Sequence, residues 1–452
     1  MALIVDCNSS ILLILLFSME LTHVILKRMN GKRKRCNMKI LHSSDWHLGK
    51  NLEGQSRLPE QELFLKDFIR IVEENKIDVV FLSGDIYDTG NPPARAEQLF
   101  YDTLKKISNK GERLIVVIAG NHDSPERLVA ARPLAMEHGI IMVGTPKTIV
   151  LEGDYGKHKV LRSGEGFIEF EVHGEKAVLL QVPFPSEKRL NEFLYDSMAE
   201  EEEKQRSYSE RIKELFGKLE GEFRDDTINL VMSHLFVSGI EESGSERSLT
   251  LGGSYLVDSK CFPEKAQYIA LGHIHRSQTV PGTQKRARYS GSPIHFHRKE
   301  IAYEKKVLKI EVKAGQEAQV TEIPLPTYKP IEVWKCSNYA EALSRCEENK
   351  DRDCWVYLEI KTDSFITEEQ IKELKMWKTD ILEITPILPS QEKEERVIDE
   401  EREKSFHELF LDFYKRERGV EPEEELVQLL HSIVDNDELE KEEEDAADFI
   451  EN

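Results

Sequence analysis

The chain has 452 residues and a mass of 52.2 kDa, which exceeds one ordinary domain and predicts two or three. Hydrophobic residues make up 39% and charged residues 32% of the chain, a composition that excludes disordered, collagen-like and disulfide-scaffold proteins. Its six cysteines are scattered without a C-x-x-C pair. This spacing is typical of free thiols in a reducing compartment, so we expect a cytoplasmic protein.

The net charge of −22 is concentrated at one end of the chain. Residues 391–452 contain 24 acidic and 8 basic residues and carry −16, so the rest of the chain carries only −6. The acidity therefore does not exclude a nucleic-acid substrate for the preceding part. Because the chain lacks a broad basic surface, metal ions or a partner must supply much of the positive charge that such a substrate needs.

The first 37 residues are predicted to be a non-native or disordered extension, with Met38 as the natural start. Their apolar run, residues 11–17, is much shorter than the roughly 20 residues of a membrane-spanning helix. The basic cluster, residues 32–35, follows this run, whereas a secretory signal has its basic segment first. We therefore expect no membrane association; the alternative is a weak membrane-proximal anchor.

From Met38 onward, short apolar runs alternate with helical stretches. A helix is predicted over Pro59–Asn75, between the first two predicted strands, because apolar residues recur there at helical spacing after a first-turn proline. Near-continuous apolar runs are typical of strands buried on both faces, and the predicted strands are Lys39–Ser44, Asp78–Ser83, Arg113–Ala119, Lys176–Val182, Thr227–Ser233 and Gln267–Leu271. This alternation indicates a layered α/β domain over residues 38–325.

A proline-rich passage, residues 323–330, predicts a linker to a second domain over residues 326–390. The elements predicted in it have a βαβαβ order: Ile331–Trp334, Tyr339–Asn349, Cys354–Ile360, Thr367–Trp377 and Ile381–Ile387. Residues 391–437 contain two short amphipathic patterns that need a surface to lie against, either a partner or their own domains. Residues 438–452 are predicted to be a disordered acidic tail.

Polar side chains follow five of the predicted strands, at the point where each strand ends. Ligands of open α/β sheets bind at the carboxyl ends of strands, so we expect these side chains to lie together. A lone H-x-H pair or a lone strand-end aspartate is usually structural. The prediction of a ligand site therefore depends on all five groups together. The five groups are Asp45 with His47; Asp85 with Asp88; Asn121, His122 and Asp123; His234; and His273 with His275.

This mixture of imidazole, carboxylate and amide ligands favours Mn, Fe or Zn over Ca or Mg. Seven ligands from among these ten residues are too many for one four-coordinate zinc ion, and they are enough for two ions that share a bridging carboxylate. The sequence therefore predicts a binuclear metal site, in which two ions activate a water and hold a phosphodiester.

Other polar residues of the chain carry weaker signals. His295 and His297 repeat the H-x-H spacing without nearby carboxylates, which favours an exposed strand face over a third metal site. Lys50, Asn51 and Arg57 lie in a predicted loop, where they either contact a nucleic-acid backbone or are solvated.

The strand-end series resembles, in order and spacing, the motifs of the calcineurin-like metallophosphoesterases. Three further segments resemble the DNA double-strand-break repair nuclease branch of that superfamily: residues 41–50, 245–247 and 289–293. The resemblance covers roughly residues 38–388. It implies a four-layer metallophosphoesterase sandwich, in which helices flank two mixed sheets, with a small βαβαβ DNA-capping domain and a helical C-terminal tail.

The resemblance also assigns the site residues. It implies that Asp45, His47 and His275 hold the first metal, that Asn121, His234 and His273 hold the second, and that Asp85 bridges them. His122 matches the catalytic histidine of the family, and the adjacent Asp123 is expected to fix its tautomer. Asp88 is expected either to support a ligand or to be structural.

The function implied by the resemblance is a manganese-dependent DNA nuclease, with 3′ to 5′ exonuclease, single-strand endonuclease and hairpin-cleaving activity. It would act in DNA repair, replication and recombination with an SMC-like coiled-coil ATPase, as a homodimer within a heterotetramer near the nucleoid. One alternative keeps the site and changes the substrate, as in a phosphatase or small-nucleotide phosphodiesterase. The other is a non-catalytic scaffold for the ATPase, which the filled set of ligand positions argues against.

Overall fold

The computed structural model describes residues 37–190, 201–244, 255–363 and 365–388. The predicted N-terminal extension, apart from residue 37, lies outside these residues, and so do the amphipathic segment 391–437 and the acidic tail. Among the described residues, no helix has the length and apolar character needed to cross a membrane.

Twenty-one strands are present in the described residues. In chain order they are β1 Met38–Ser43, β2 Asn51–Leu52, β3 Gln55–Ser56, β4 Val79–Ser83, β5 Leu114–Ile118, β6 Ile140–Val143, β7 Gly153–Tyr155, β8 His158–Gly164, β9 Phe167–Val172, β10 Glu175–Val182, β11 Ile228–His234, β12 Phe236–Val237, β13 Leu256–Val257, β14 Tyr268–Gly272, β15 Gln278–Thr279, β16 Ala287–Tyr289, β17 Lys306–Val312, β18 Gln319–Pro324, β19 Ile331–Cys336, β20 Trp355–Lys361 and β21 Ile381–Ile387.

Eight α-helices and three short 3-10 helices accompany the strands in the part of the chain that the structure describes. The α-helices are α1 Leu58–Glu74, α2 Ala94–Ser108, α3 Pro125–Val129, α4 Arg132–Glu137, α5 Glu187–Leu190, α6 Glu201–Leu219, α7 Tyr339–Glu348 and α8 Glu368–Trp377. The 3-10 helices are Glu220–Glu222, Ser259–Cys261 and Arg298–Ala302. The six strands and the first helix predicted from apolar patterning are confirmed, with ends that differ by one or two residues.

Two mixed sheets form the main body. The first has the order β18-β17-β1-β4-β5-β6, and the second has the order β15-β16-β14-β11-β10-β9-β8-β7. In the first sheet β1, β4, β5 and β6 are parallel, and in the second sheet β10, β11, β14 and β16 are parallel. The central strands β4 and β5 are buried along their whole length, as continuous apolar runs predict.

The two sheets pack face to face and helices cover their outer faces. A cluster between the sheets joins Phe81 of the first sheet to Leu179 and Met232 of the second. Phe64 of α1 and Phe100 of α2 pack on the other face of the first sheet, and Phe216 of α6 packs on the other face of the second. The layers are therefore helix, sheet, sheet and helix, and the predicted four-layer sandwich is confirmed.

A smaller unit follows β18 and confirms the predicted βαβαβ order. Its parallel sheet has the order β19-β20-β21, and its two helices cover one face. The proline-rich passage departs from the prediction at its start, because Ile323 and Pro324 still belong to β18. Trp355 and Tyr357 lie on the opposite face of the small sheet and pack with Leu52 of the main body.

Hydrogen bonds from these two aromatic residues join the small unit to the main body. The indole nitrogen of Trp355 donates to Oε1 of Glu60 at 2.6 Å, and the hydroxyl of Tyr357 donates to Oε1 of Glu53 at 3.2 Å. Glu60 is buried and also accepts a hydrogen bond from Arg57 at 2.7 Å. The small unit is therefore held against the first helix and the loop that precedes it.

Candidate active site

The structure brings the polar residues of the five strand ends to one place. The carboxyl ends of β1, β4 and β5 in the first sheet face those of β11 and β14 in the second. Side chains that end different parallel strands therefore converge between the two sheets, at the position where α/β sheets bind ligands. The buried members are Asp45, His47, Asp85, Asp123, His234, His273 and His275.

Three groups of possible metal ligands form within this cluster, and His47 belongs to two of them, because one group joins it to Asp88 and His122. The other two groups contain the more deeply buried residues. The ligand atoms of Asp45, His47 and His275 lie within 4.8 Å of one another, and so do those of Asp85, His234 and His273. Each group offers one carboxylate and two imidazoles to an ion. The structure thus brings together Asp45, His47 and His275, as predicted for the first metal, and it places Asp85 with His234 and His273, where Asn121 was predicted. The group of His47, Asp88 and His122 was not predicted.

Asn121 and Asp85 link these groups. Oδ1 of Asn121 lies 3.0 Å from Nε2 of His234 and 3.1 Å from Nδ1 of His273. Asn121 is therefore adjacent to two ligands of the group formed by Asp85, His234 and His273. Oδ2 of Asp85 lies 3.4 Å from Nε2 of His234 and 3.6 Å from Nε2 of His47. Asp85 is therefore within reach of both groups, where a bridging carboxylate has to lie.

The backbone at these positions is strained. Asp45, His47 and Asp85 have φ angles of 54°, 43° and 50°, and His273 has a φ of 104°, all in the region that side-chain-bearing residues rarely adopt. The amides of Asp45 and His47 donate to the carbonyl oxygens of Gly84 and Asp85, each at 3.0 Å, and so hold two of the turns. Strain of this kind concentrates at functional sites.

Glycines leave the space that the ligands occupy. A Cβ atom on Gly120 would lie 2.1 Å from Oδ1 of Asp85, and one on Gly84 would lie 2.4 Å from Nδ1 of His234. Both distances are far below van der Waals contact. The glycines that precede Asp85 and Asn121 in the motifs are thus required for the carboxylate and imidazole positions.

Hydrogen bonds orient the individual ligands. Nδ1 of His234 lies 2.8 Å from the carbonyl oxygen of Ser83, so Nδ1 donates to that oxygen and Nε2 is the nitrogen that an ion would bind. Asp45 accepts the amide of His273, and Asp85 accepts the amide of His122, both at 2.9 Å. These bonds fix the side chains in place before an ion binds.

Burial dominates the electrostatics of the cluster. It raises the pKa of Asp45 to about 6, although His234 and His275 oppose the shift, and it lowers the pKa of His47 to about 3. Burial alone would also raise the pKa of Asp85, but the neighbouring imidazoles, first His234 and His122, hold it well below its usual range. Burial alone would lower the pKa of His234, but the Asp85 carboxylate raises it to about 9. Buried carboxylates beside imidazoles are a donor set that fits divalent metal ions, whose binding displaces such protons.

His122 lies at the edge of the cluster and is partly exposed. Its ring makes an edge-on contact with the ring of His47, with centroids 4.7 Å apart, and its Nδ1 lies 2.7 Å from the carbonyl oxygen of Asp88. The expectation that Asp123 fixes the tautomer of His122 is corrected by these contacts. The Asp123 carboxylate instead accepts the amides of Ile86, Tyr87 and Gly120, so it holds two strand-end turns together.

Asp88 supports a ligand. Its Oδ1 lies 3.3 Å from Nδ1 of His47 and 2.7 Å from Nζ of Lys50. Burial alone would raise the pKa of Asp88, but His47 and Lys50 hold it below its usual range. Of the two roles left open, the structure favours orientation of His47.

The remaining polar residues singled out in the sequence lie elsewhere. Arg57 is 2% exposed and donates to Glu60 and to the carbonyl oxygen of His295 at 2.6 Å, so it is neither solvated nor available to a nucleic-acid backbone. His295 and His297 lie in a loop and not on a strand face. Neither belongs to a candidate metal group among the described residues.

Sequence reasoning missed side chains that line or support the site, among them Phe296 and Arg189. Phe296 is buried, and its ring lies 5.4 Å from the ring of His47 and 5.7 Å from that of His275. Arg189 donates to the carbonyl oxygens of Gly120 and Asp123, both at 2.7 Å. Neither residue belongs to a strand-end motif. The hydrogen bonds of Arg189 join residues more than sixty positions apart in the chain, and no local pattern in the sequence indicates them.

Comparison with known proteins places the chain among phosphoesterases. The calcineurin-like phosphoesterase family model matches residues 38–277, and the model described as the type 5 capsule protein repressor C-terminal domain matches residues 327–418. The SbcD subunit of the nuclease SbcCD from Bacillus subtilis is 39% identical over 394 residues, which cover 87% of this chain and 96% of that protein. The protein of the same name from Rhodobacter capsulatus is 32% identical, over 65% of this chain and 71% of its own length. The one from Escherichia coli is 28% identical, over 82% of this chain and 90% of its own length.

The first family model alone spans more than half of the chain, and the match to the Bacillus subtilis protein extends over almost all of that protein. The family match and the two ligand groups agree on the same chemistry, the metal-dependent cleavage of phosphate esters. The chain is therefore a metal-dependent phosphodiesterase that belongs to the calcineurin-like phosphoesterase family, in the group of the SbcD nuclease subunits.

Proposed function

We propose that this protein is the manganese-dependent DNA nuclease subunit of a complex with an SbcC-type, SMC-like coiled-coil ATPase. The observation that carries the proposal is the pair of ligand groups with Asp85 between them, in a chain whose relatives are named as nuclease subunits. The proposed activities are 3′ to 5′ exonuclease, single-strand endonuclease and hairpin cleavage, and the proposed role is in DNA repair, replication and recombination.

In this proposal Asp45, His47 and His275 hold one ion. The second ion would be held by the amide oxygen of Asn121 and by the imidazoles of His234 and His273. Asp85, which lies within reach of both groups, would contribute its carboxylate to both ions. Two Mn²⁺ ions, when bound, supply Lewis-acid activation of water and neutralise charge on the phosphodiester. The imidazole-rich donor set supports Mn²⁺, and Fe or Zn would also fit it.

His122 is proposed to act on the substrate directly. Because its Nδ1 faces the carbonyl oxygen of Asp88, Nδ1 carries a proton and Nε2 is directed to the substrate. From that position Nε2 contacts the scissile phosphate, and in its protonated form the ring gives a proton to the leaving 3′ or 5′ oxygen. Asp123 contributes by fixing the turn that carries His122 and is a positioning residue in this account.

A DNA substrate is favoured over a small phosphate ester by the rest of the chain. The small βαβαβ unit is proposed to be a DNA-capping domain over residues 326–390, and its contacts through Trp355 and Tyr357 hold it beside the loop that follows the first ligands. Residues 391–437 are proposed to dock on the ATPase, whose heads supply DNA-binding surface. The proposed assembly is a heterotetramer around a homodimer of this chain, in the cytoplasm at the nucleoid.

The test compares substrates. A labelled DNA hairpin, a linear duplex and bis(p-nitrophenyl) phosphate are incubated with the full chain and Mn²⁺, with and without an SbcC-type ATPase and ATP. The proposal predicts cleavage of both DNAs, with duplex-end and hairpin cleavage increased by the ATPase. Rapid hydrolysis of the small ester without DNA cleavage would support a small-molecule phosphodiesterase instead, and no hydrolysis under any condition would support a scaffold.

A further inference from the structure

A buried ion pair lies beside the candidate metal ligands and belongs to none of the strand-end motifs. Glu300 is fully buried and Lys305 is 5% exposed, and Nζ of Lys305 contacts Oε2 of Glu300. Removing two charges from water is costly, and their mutual attraction offsets that cost only with good geometry and further hydrogen bonds. A pair of this kind therefore needs a structural or functional reason.

The pair is joined to His275 from two sides. Oε1 of Glu300 lies 3.7 Å from Nδ1 of His275, and Nζ of Lys305 donates to the main-chain carbonyl oxygen of His275 at 3.1 Å. Lys305 also donates to Oγ of Ser292 at 2.8 Å, and the amide of Ser292 donates to the same His275 carbonyl at 3.1 Å. The backbone and the ring of His275 are thus both held by this one network.

The two ring nitrogens of His275 face different partners. Nε2 lies 3.1 Å from Nε2 of His47, on the side of the first ligand group, and Nδ1 faces the Glu300 carboxylate. A negative carboxylate at Nδ1 keeps the proton on that nitrogen and increases the electron density at Nε2. Partners of this kind orient histidine ligands and raise their affinity for metal.

We infer that Glu300, held by Lys305, is a positioning residue that prepares His275 to bind the first metal ion. The inference rests on the proposed function of the site, in which His275 is a metal ligand. Glu300 acts through His275 and does not touch the substrate, so the quantity it controls is the affinity of one of the two metal sites.

A purely structural role for the pair predicts a different outcome, and the chain offers a matched control. Glu60 is also a buried carboxylate, paired with the buried Arg57 at 2.7 Å, and its other contact is the indole of Trp355. Glu60→Gln therefore removes the same charge from a similar ion pair without changing a contact to a candidate ligand.

The experiment titrates the full chain with Mn²⁺ and measures free Mn²⁺ by electron paramagnetic resonance. The variants are Glu300→Gln, the double variant Glu300→Gln with Lys305→Met, and Glu60→Gln, each checked for folding in EDTA by circular dichroism. We expect two Mn²⁺ per chain for the unsubstituted protein and for Glu60→Gln. In Glu300→Gln, one of the two sites should weaken by about 10–100-fold.

The double variant keeps the inference testable if Glu300→Gln does not fold, because it removes both buried charges and leaves none unpaired. It should fold and show the same loss at one site. Unchanged affinity at both sites in either variant would overturn the inference, and so would an equal loss in Glu60→Gln or a failure of the unsubstituted chain to bind Mn²⁺. Because DNA cleavage is not the readout, a chain that binds two Mn²⁺ ions and cuts no DNA contradicts the proposed function alone.

Discussion

Nδ1 of His122 lies 2.7 Å from the main-chain carbonyl oxygen of Asp88. A carbonyl oxygen only accepts hydrogen bonds, so Nδ1 is the donor and the tautomer of the neutral ring is fixed. The Asp88 side chain meanwhile contacts His47. One residue thus orients both the candidate catalytic histidine, through its backbone, and a candidate metal ligand, through its carboxylate.

Replacement of His122 by alanine should remove catalysis and leave metal binding intact. General acid–base groups contribute about 10²–10⁴-fold to a rate, so single-turnover cleavage of duplex DNA at saturating Mn²⁺ should fall by that factor. The exposed His138 provides the control, since His138→Ala should cleave at the unsubstituted rate. A His122→Ala variant that cleaves as fast as this control would remove His122 from the mechanism.

Replacement of Gly120 by alanine should damage the site through Asp85. The new Cβ would lie 2.1 Å from Oδ1 of Asp85, and the displacement that relieves this overlap should weaken Mn²⁺ binding and cost about 1–3 kcal/mol in the free energy of unfolding. Calorimetric Mn²⁺ titration and urea unfolding measure the two effects.

The matched control is Gly217→Ala, which lies within α6 with no atom near the added methyl group. This variant should be more stable by about 0.5–1 kcal/mol, as for alanine in a helix interior. Normal Mn²⁺ binding by Gly120→Ala would contradict the packing argument.

His42 should make the stability of the metal-free chain fall as the pH decreases. It is buried against Tyr268, whose hydroxyl lies 2.9 Å from its Nδ1, and burial lowers its pKa from 6.5 to about 3. Between those values the unfolded chain binds a proton that the folded chain excludes, so the free energy of unfolding decreases as the pH falls from about 6.5 to 3. The full loss from this group is on the order of 5 kcal/mol.

The measurement is urea unfolding in EDTA at several pH values, for the unsubstituted chain and for His42→Asn. The asparagine variant lacks the titrating ring, so its free energy of unfolding should vary less steeply over this range. Parallel pH profiles for the two proteins would show that His42 does not contribute this dependence.

The contact between Trp355 and Glu60 should couple the small βαβαβ unit to the main body. Both side chains are buried and the indole donates at 2.6 Å, and a hydrogen bond to a charged group contributes about 1.5–3 kcal/mol. A double-mutant cycle with Trp355→Phe and Glu60→Gln, followed by urea unfolding, measures the coupling energy. A coupling energy near zero would mean that the two units are held together by other contacts.

The strand-end residues of the site could be predicted because their signals are local. A buried apolar run followed by a polar residue is visible in the sequence, and parallel strands bring their carboxyl ends to one edge. Strands without such runs escape this kind of prediction: β17 alternates buried and partly exposed residues, and β18 is mostly exposed. The pairing of β17 with β1 joins residues hundreds of positions apart in the chain.

The supporting residues could not be predicted for a related reason. Glu300 lies in the short 3-10 helix Arg298–Ala302 and Lys305 directly precedes β17, and these residues reach His275 only through tertiary packing. Adjacency in the sequence assigns Asp123 to His122, but a tight turn directs its carboxylate to backbone amides. Adjacency in sequence does not specify direction in a turn.

The measurement that tests the central claim most directly is DNA cleavage by the full chain as Mn²⁺ is added in known equivalents. Bound metal is determined on the same samples by mass spectrometry. We predict that cleavage of a labelled hairpin rises in proportion to occupancy of the second site and reaches its maximum at two ions per chain, as expected for two ions that act together. A chain that carries two Mn²⁺ ions and leaves the hairpin uncut, with the ATPase present or absent, would contradict the account.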